Sequence, residues 1–262
     1  MKYILVTGAY GGMGKQFITQ LKNLNYGVIA LDYKQGDIDG VISIQTDITD
    51  EKSVNNAFLK VKSITDNLYA IVHFAGVYAL DSLVEMSAEK FEKIFKINLY
   101  GAFLINKTFM PLLKNGSKIL ITTSELAPLD PLPFTGIYGI SKTALDKYAY
   151  SLRMELQLLG VSVSVLRAGA VDTGMIDASM QALDEFINST KLYSCNAKRF
   201  KNIVEGVEAK KIKPIKIAKK AIKIIEKKKP KFAYSINRNP LLILLSLMPK
   251  RFQFFVIRQI LK

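Results

Sequence analysis

The chain has 262 residues, of which 49% are hydrophobic and 23% are charged, so it is long enough to bury a sizeable core and too apolar for a disordered protein. Its one cysteine, Cys195, excludes an internal disulfide, and its start lacks the cleavage site of a signal peptide, so we predict a cytoplasmic protein. The net charge of +15 arises after residue 190, where twenty basic residues stand beside three acids.

Short apolar runs alternate with helical patterns along most of the chain. Runs typical of buried strands lie at 2–7, 28–32, 41–44, 69–74, 118–123 and 161–166, with a last one at 231–236. Between them, apolar residues recur at helical spacing at 15–24, 53–64, 87–95, 98–113, 143–159 and 215–225. The alternation predicts an α/β fold, a doubly wound parallel sheet with helices on both faces.

We find no internal repeat and no low-complexity linker, and we therefore predict a single domain over residues 1–236. Within it, the pattern loosens at 174–213, where we expect one or two short helices joined by mobile chain. Residues 237–262 form a basic, apolar C-terminal extension.

A glycine-rich turn connects the first strand to the first helix. A bound dinucleotide requires glycines in such a turn, because they permit the tight bend, the approach of the backbone to the pyrophosphate and the packing of the helix on the sheet. The helix N-terminus then offers free amides and its dipole to the phosphates. The turn residues that we expect to bind the cofactor are Gly8, Tyr10, Gly11, Gly12, Met13 and Gly14.

Asp32 ends the second strand, eighteen positions after Gly14. An acid at this place is expected to accept hydrogen bonds from the adenosine ribose hydroxyls and to repel a 2′-phosphate. It therefore favours NAD as the cofactor, and the nearby Lys34 leaves NADP as the alternative.

Tyr138 and Lys142 lie four residues apart immediately before the helical run 143–159, and a helix that starts near Tyr138 places both on one face. A free phenol has a pKa near ~10, and a lysine cation beside it favours the phenolate, so the pair can serve as an acid/base near neutral pH. The spacing is frequent on helices, so alone it also fits a purely structural pair.

These motifs occur together in the order and approximate spacing of the short-chain dehydrogenases/reductases. The chain resembles this family over about residues 1–175. The positions that carry the resemblance are Thr7-Gly8-xxx-Gly12-x-Gly14, Asp47, Ala75-Gly76, Asn98, Ser124, Tyr138-xxx-Lys142 and Gly169-x-Val171-x-Thr173. It implies a Rossmann sheet of seven strands, a homo-oligomer, and hydride transfer between a nicotinamide cofactor and an alcohol or ketone.

The resemblance also implies roles for single residues. Tyr138 would be the general base in alcohol oxidation, and Lys142 would lower its pKa and bind the nicotinamide ribose. Ser124 would hold the substrate oxygen, with Thr123 as the alternative, and Asn98 would anchor a water in the proton relay. Further cofactor contacts are expected from Asp47 and Ile48, from Ala75 and Gly76, and from Val171 and Thr173.

Two alternatives remain open at this point. The run His73-Phe74-Ala75-Gly76 and the spacing Gly8-xx-Gly11-xx-Gly14 resemble the nucleotide-sugar epimerases and dehydratases, although that branch carries a larger C-terminal domain. A non-catalytic NAD-binding regulator is the other alternative, although such proteins commonly lack the tyrosine or the lysine. His73, the only histidine, is predicted to form structural hydrogen bonds, and we expect no metal site because Cys195 is far from it in sequence.

Apolar residues dominate the part of the chain that covers the substrate in this family. Residues 174–213 are therefore expected to be a substrate lid, and its apolar residues predict a hydrophobic alcohol or ketone. These residues are Met175, Ile176, Met180, Leu183 and Phe186.

The extension 237–262 contains two short apolar segments flanked by Lys and Arg. Neither is long enough to span a bilayer, which needs ~20 residues. The segments fit a peripheral contact with the anionic inner face of a membrane, and they equally fit a lid or an oligomer surface. No nucleic acid is expected as a partner, because no basic groove with stacking aromatics is evident.

Overall fold

The computed structural model describes residues 1–208 and 210–262. Within these ranges, seven strands form one sheet in the order β3-β2-β1-β4-β5-β6-β7, and every adjacent pair is parallel. The strands are β1 (Tyr3–Thr7), β2 (Gly27–Asp32), β3 (Val41–Gln45), β4 (Leu68–His73), β5 (Leu113–Ser124), β6 (Ser162–Ala168) and β7 (Ala233–Ile236). The predicted doubly wound, seven-stranded Rossmann sheet is thereby confirmed.

Helices cover both faces of the sheet. They are α1 (Gly12–Lys22), α2 (Glu51–Lys62), α3 (Ala88–Phe95), α4 (Gly101–Phe109), α5 (Gly136–Leu156), α6 (Gly174–Ser189), α7 (Ser194–Glu208), α8 (Pro214–Ile225), α9 (Pro240–Leu247) and α10 (Lys250–Leu261). Successive strand side chains point to opposite faces. Leu5 of β1 accordingly packs with α2, α4 and α5, whereas Ile4 and Val6 pack with α1 and α8.

The segment predicted as a helix over 98–113 is divided into three parts. A π-helical stretch covers 96–100, α4 follows, and a 3₁₀ turn covers 110–112. Pro111 lies in that turn, where it cannot continue the hydrogen-bond ladder of an α-helix because it has no amide hydrogen. The helical hydrogen bonding therefore ends at Leu112, and β5 begins at Leu113.

The predicted lid is more regular than its sequence indicates. In place of short helices joined by mobile chain, α6 extends over sixteen residues and packs against α7. Leu183 and Phe186 of α6 belong to the same apolar cluster as Phe200 and Val204 of α7. Leu261 of α10 also belongs to this cluster. The two helices stabilise each other by burying these side chains, a contact that local spacing cannot reveal.

The C-terminal extension consists of α9 and α10. Gln253 joins the two helices, since its side-chain amide donates to the carbonyl of Met248 at 2.8 Å. The end of α10 is held at α7, where the Asn196 amide donates to the carbonyl of Leu261 at 2.7 Å. Among the residues that the structure describes, no helix has both the length and the apolar character needed to cross a bilayer.

Candidate active site

The turns after β1 and β4 meet at the carboxyl edge of the sheet. Gly8 has a φ of +64°, and a Cβ atom at this position would lie 2.5 Å from the amide nitrogen of Ala75. A side chain on Gly8 would therefore be strained in the backbone and would also collide with the turn after β4. This close approach brings Ala75 and Gly76 beside the glycine-rich turn.

The N-terminus of α1 has the character of an anion site. The N-cap residue Gly11 provides no side-chain hydrogen bond, and the first turn of the helix contains no acid. The main-chain amides and the positive end of the helix dipole therefore suit a phosphate group. Thr173 lies directly beside this turn, because a Cβ atom on Gly12 would be 2.5 Å from its Cγ2 atom.

Asp32 is held in place by two main-chain amides at the end of β2. Tyr10 N donates to Oδ2 at 2.9 Å, and Lys34 N donates to Oδ1 at 3.0 Å. The Tyr10 hydroxyl is hydrogen-bonded to Ser43 on β3. Each carboxylate oxygen has a second lone pair, so the oriented Asp32 can still accept hydrogen bonds from ribose hydroxyls.

Asp47 and Ile48 form the turn after β3. Asp47 Oδ1 accepts hydrogen bonds from the amide and the hydroxyl of Thr49, at 2.8 and 2.7 Å. Ile48 packs against Gly101 at the start of α4. The Asp47 carboxylate thus stabilises its own turn, and the pair lies at the same sheet edge as Asp32.

Tyr138 is buried on the first turns of α5, and its hydroxyl is hydrogen-bonded to Ser124 at the end of β5. The ring of Tyr78 packs against the Tyr138 ring, with 4.6 Å between the centroids. Thr123, the alternative to Ser124, points elsewhere and donates to Asp146 Oδ1 at 3.2 Å. Among the contacts that the structure describes, the Ser124 hydroxyl is hydrogen-bonded to Tyr138 and the Thr123 hydroxyl is not.

Lys142 lies one turn further along α5, with Nζ at 5.8 Å from the centroid of the Tyr138 ring. A Cβ atom on Gly76 would be 3.0 Å from this nitrogen and 3.2 Å from Asn98 Oδ1, so a side chain here would crowd both groups. Asn98 is buried in the π-helical stretch, a distortion that is frequent at functional sites. Its side chain accepts from Val77 N at 2.8 Å and donates to Ser141 Oγ at 3.0 Å.

The pKa values of this pair differ from those expected from the sequence. Burial raises the pKa of Tyr138 to about 12, the hydrogen bond with Ser124 lowers it, and the negative charge of Glu125 raises it. Burial also lowers the pKa of Lys142 to about 8. The predicted lowering of the Tyr138 pKa by Lys142 is therefore wrong for this state of the protein, because desolvation disfavours both charged forms.

A cavity of about 180 Å³ opens beside Ser124 and Tyr138. Most of its other walls are apolar and come from the lid, the loop after β5 and α9. The apolar side chains that line it include Leu132, Ile176, Phe200, Val204 and Leu242. Met13, Val171 and Thr173 also line the cavity, so it adjoins the start of α1 and the chain after β6.

Three residues of this site were not found from the sequence. Glu125 follows Ser124 directly and is buried at the cavity wall, in a loop that contains Pro128, Pro131 and Pro133. Tyr78 and Leu242 had no recognisable signal, because each reaches the cavity from a segment distant in sequence.

His73 lies outside the cavity and has a structural role. Asn106 Oδ1 lies 3.0 Å from Nε2 and can only accept, so Nε2 carries the hydrogen and Nδ1 accepts from Thr7 Oγ1 at 3.3 Å. Burial lowers the pKa of His73 to about 4, while the bond with Asn106 raises it. Among the described residues, no group of three or more His, Cys, Asp or Glu side chains could hold a metal ion.

Known proteins are similar to this chain in sequence and in fold. YbbO, an uncharacterized oxidoreductase of Escherichia coli, is 31% identical over 183 residues, which cover 67% of this chain and 68% of the relative. The NADPH-dependent 1-acyldihydroxyacetone phosphate reductase of Schizosaccharomyces pombe is 28% identical over 179 residues, which cover 66% and 60%. A crystal structure of a short chain dehydrogenase family protein from Francisella tularensis superposes with a TM-score of 0.75 and 22% identity, covering 90% of this chain and 97% of that one.

The family model that describes the short chain dehydrogenases matches residues 2–184, which is more than half of the chain. The matched region contains the glycine-rich turn, Asp32, Asn98, Ser124 and the Tyr138–Lys142 pair. The chain therefore belongs to the short-chain dehydrogenase/reductase family of oxidoreductases.

Proposed function

We propose that this protein transfers a hydride between a nicotinamide cofactor, with NAD preferred, and a hydrophobic alcohol or ketone. The observation that carries the proposal is the hydrogen bond between the buried hydroxyls of Tyr138 and Ser124 at the wall of an apolar cavity. We assign residues 1–236 to the catalytic domain and 174–213 to its substrate lid.

Residues of the chain bind and orient the substrate, and they move its hydroxyl proton. Ser124 donates a hydrogen bond to the substrate oxygen, and Tyr138 takes the hydroxyl proton in oxidation or returns it in reduction. Lys142 and Asn98 lie on the inner side of Tyr138, where Lys142, with its pKa lowered to about 8, still supplies positive charge at neutral pH. The bound nicotinamide supplies the redox chemistry, and the apolar walls exclude water from the transfer.

The cofactor site fits a dinucleotide. The glycine turn, the amides at the start of α1 and the Asp32 carboxylate follow one another along the carboxyl edge of the sheet. Ala75, Gly76, Val171 and Thr173 flank this path, with Asp47 and Ile48 at its outer end. We propose NAD because the fixed Asp32 carboxylate would repel a 2′-phosphate, even though the fission-yeast relative is NADPH-dependent by name.

The substrate class follows from the cavity. Ser124 and Tyr138 provide two hydroxyl groups at one wall, and most of the remaining surface is aliphatic or aromatic. A site of this kind orients a substrate through one polar group and excludes water from the rest of the molecule. The name of the fission-yeast relative describes an acylated substrate, and this supports a lipid-like alcohol or ketone here.

A substrate panel with purified protein tests the proposal. Long-chain secondary alcohols and the matching ketones are compared with short alcohols, polyols and nucleotide sugars, each with NAD and NADP in both redox states. We expect a change in reduced-nicotinamide absorbance that is largest for the long-chain pairs. Turnover of polyols alone would refute the apolar substrate, and isomerisation of a nucleotide sugar without net cofactor change would favour the epimerase alternative.

A further inference from the structure

The inner faces of the two C-terminal helices pack onto the catalytic domain. Leu242 of α9 lines the substrate cavity, while Leu245, Gln253 and Ile257 face the loop after β5. Lys250, the first residue of α10, forms an ion pair with Asp130 of that loop. Both helices therefore use one side for packing and turn the other side away from the domain.

The outer faces of α9 and α10 are apolar. Six large side chains on these faces are each between 49% and 77% exposed, although they all lie within fifteen positions of the chain. They are Leu241, Leu244, Leu247, Phe252, Phe254 and Phe255. Exposed apolar groups at this density are unusual on the surface of a protein that contacts only water, and they indicate a binding surface.

Cations are interspersed with these apolar groups. Arg251, Arg258 and Lys262 are exposed on or beside α10, and residues 237–262 contain five basic residues and no acid. A two-fold interface between copies of this chain would bring the same surface against itself, and hence cation against cation. The charge pattern therefore favours an anionic partner over a second copy of this chain.

We propose that the outer faces of α9 and α10 bind the anionic interface of a lipid bilayer. The leucines and phenylalanines enter the boundary between the headgroups and the acyl chains, and the arginines and lysine contact lipid phosphates. This contact lies in the plane of the membrane, so it needs no helix that spans the bilayer. It binds the full chain reversibly, because its strength depends on a limited apolar area and on a few charges.

The cavity lies directly beneath this surface. Leu242 lines the cavity from the inner side of α9, and its neighbour Leu241 is exposed on the outer side. An apolar substrate dissolved in the bilayer would reach the cavity with little exposure to water. This entry route rests on the proposed function, whereas binding to the bilayer does not depend on it.

Flotation of the full-length protein with lipid vesicles tests the binding without any enzymatic readout. One set of vesicles contains phosphatidylcholine alone, and the other contains equal parts of phosphatidylcholine and phosphatidylglycerol. We expect the protein to float with the anionic vesicles, to float poorly with the neutral ones, and to be released from the anionic ones as the salt concentration rises. Equal recovery in the bottom fraction with both sets would overturn the proposal.

Matched variants locate the binding surface. Leu244→Gln, Phe254→Gln and Phe255→Gln combined should lower the vesicle partition coefficient by at least about tenfold, because each side chain contributes apolar burial. The control combines Leu59→Gln, Leu158→Gln and Leu159→Gln, which remove three similarly exposed leucines elsewhere. The control should bind like the unmodified protein, and equal losses in both variants would contradict the assignment to α9 and α10.

A second pair of variants tests the charges. Arg251→Gln, Arg258→Gln and Lys262→Gln combined should weaken anionic-vesicle binding by about tenfold and flatten its salt dependence. Lys216→Gln, Lys219→Gln and Lys223→Gln combined remove the same charge from exposed positions of α8 and should have a smaller effect. If the triple variant Leu244→Gln, Phe254→Gln and Phe255→Gln instead dissociates an oligomer in sedimentation velocity and leaves vesicle binding intact, the surface is a protein interface and the proposal is wrong.

Discussion

The Glu125 carboxylate accepts a hydrogen bond from the main-chain amide of Asn239, with 2.6 Å between Oε2 and the nitrogen. Asn239 is the N-cap of α9, and its own side chain accepts from Leu241 N at 3.0 Å. Burial raises the pKa of Glu125, and the Asn239 amide and the charge of Arg238 lower it. Because Glu125 also raises the pKa of Tyr138, one side chain connects the C-terminal extension to the proposed general base.

Replacement of Glu125 should separate these two effects. Glu125→Gln keeps an acceptor for Asn239 but removes the charge, so the pKa of Tyr138 should fall and the acid limb of the alcohol-oxidation profile should move to lower pH. Glu125→Ala removes the hydrogen bond as well and should increase amide hydrogen exchange in α9. An unchanged pH profile in Glu125→Gln would show that the carboxylate does not influence the reacting group.

Tyr138→Phe should abolish turnover, with a loss of at least about a hundredfold in kcat, because the phenol is the proposed proton acceptor. Cofactor affinity, measured by fluorescence quenching or calorimetry, should change little. Tyr148→Phe is the matched control, since it removes the same hydroxyl ten residues further along α5, where it accepts a hydrogen bond from Asn106. Full activity in Tyr138→Phe would rule out the proposed mechanism.

Asp32→Ser should shift cofactor preference toward NADP. Loss of the carboxylate removes both the acceptor for the ribose hydroxyls and the repulsion of a 2′-phosphate, so the NAD-to-NADP ratio of kcat/KM should fall by about tenfold or more. Asp37→Ser removes an exposed acid from the same loop and should leave the ratio unchanged. A ratio that favours NADP in the unmodified protein would contradict the role assigned to Asp32.

The only histidine should make stability depend on pH. Because burial lowers the pKa of His73 from 6.5 to about 4, the folded protein binds fewer protons than the unfolded chain between these values. The free energy of unfolding should therefore decrease as the pH falls from 6.5 toward 4, by up to about 3 kcal/mol from this residue. The single imidazole signal in an NMR spectrum checks the cause directly, since it should stay in its neutral form at pH 6, and titration near 6.5 would be the contrary result.

A groove along α3, the π-helical stretch, α4 and α5 should bind a second copy of this chain. Phe91 and Phe103 are about 40% exposed there, and Glu92 and Lys96 stand one helical turn apart on its wall. The groove therefore presents an acid and a base beside its apolar rings, and we expect a two-fold contact in which Glu92 pairs with a lysine of the second copy. Phe103→Glu should halve the mass measured by sedimentation, whereas Leu158→Glu, at a more exposed site outside the groove, should not.

Local patterns in the sequence were sufficient to predict the sheet, the glycine-rich turn with Asp32, and the placement of Tyr138 and Lys142 on one face of α5. Each of these features depends on residues that are close in sequence, through the two-residue period of strands, the 3.6-residue period of helices and the backbone freedom of Gly8. Such features remain visible without knowledge of what packs around them.

Only the tertiary structure decided which hydroxyl contacts Tyr138, in which direction its pKa moves, and what closes the cavity. The pKa depends on desolvation, which no spacing encodes, and it overrides the expected effect of Lys142. The contact of Glu125 with Asn239 spans 114 positions, and Leu242 reaches the cavity from the end of the chain. These relationships arise when the whole chain folds, because burial and long-range contacts are properties of the packed molecule and of no single segment.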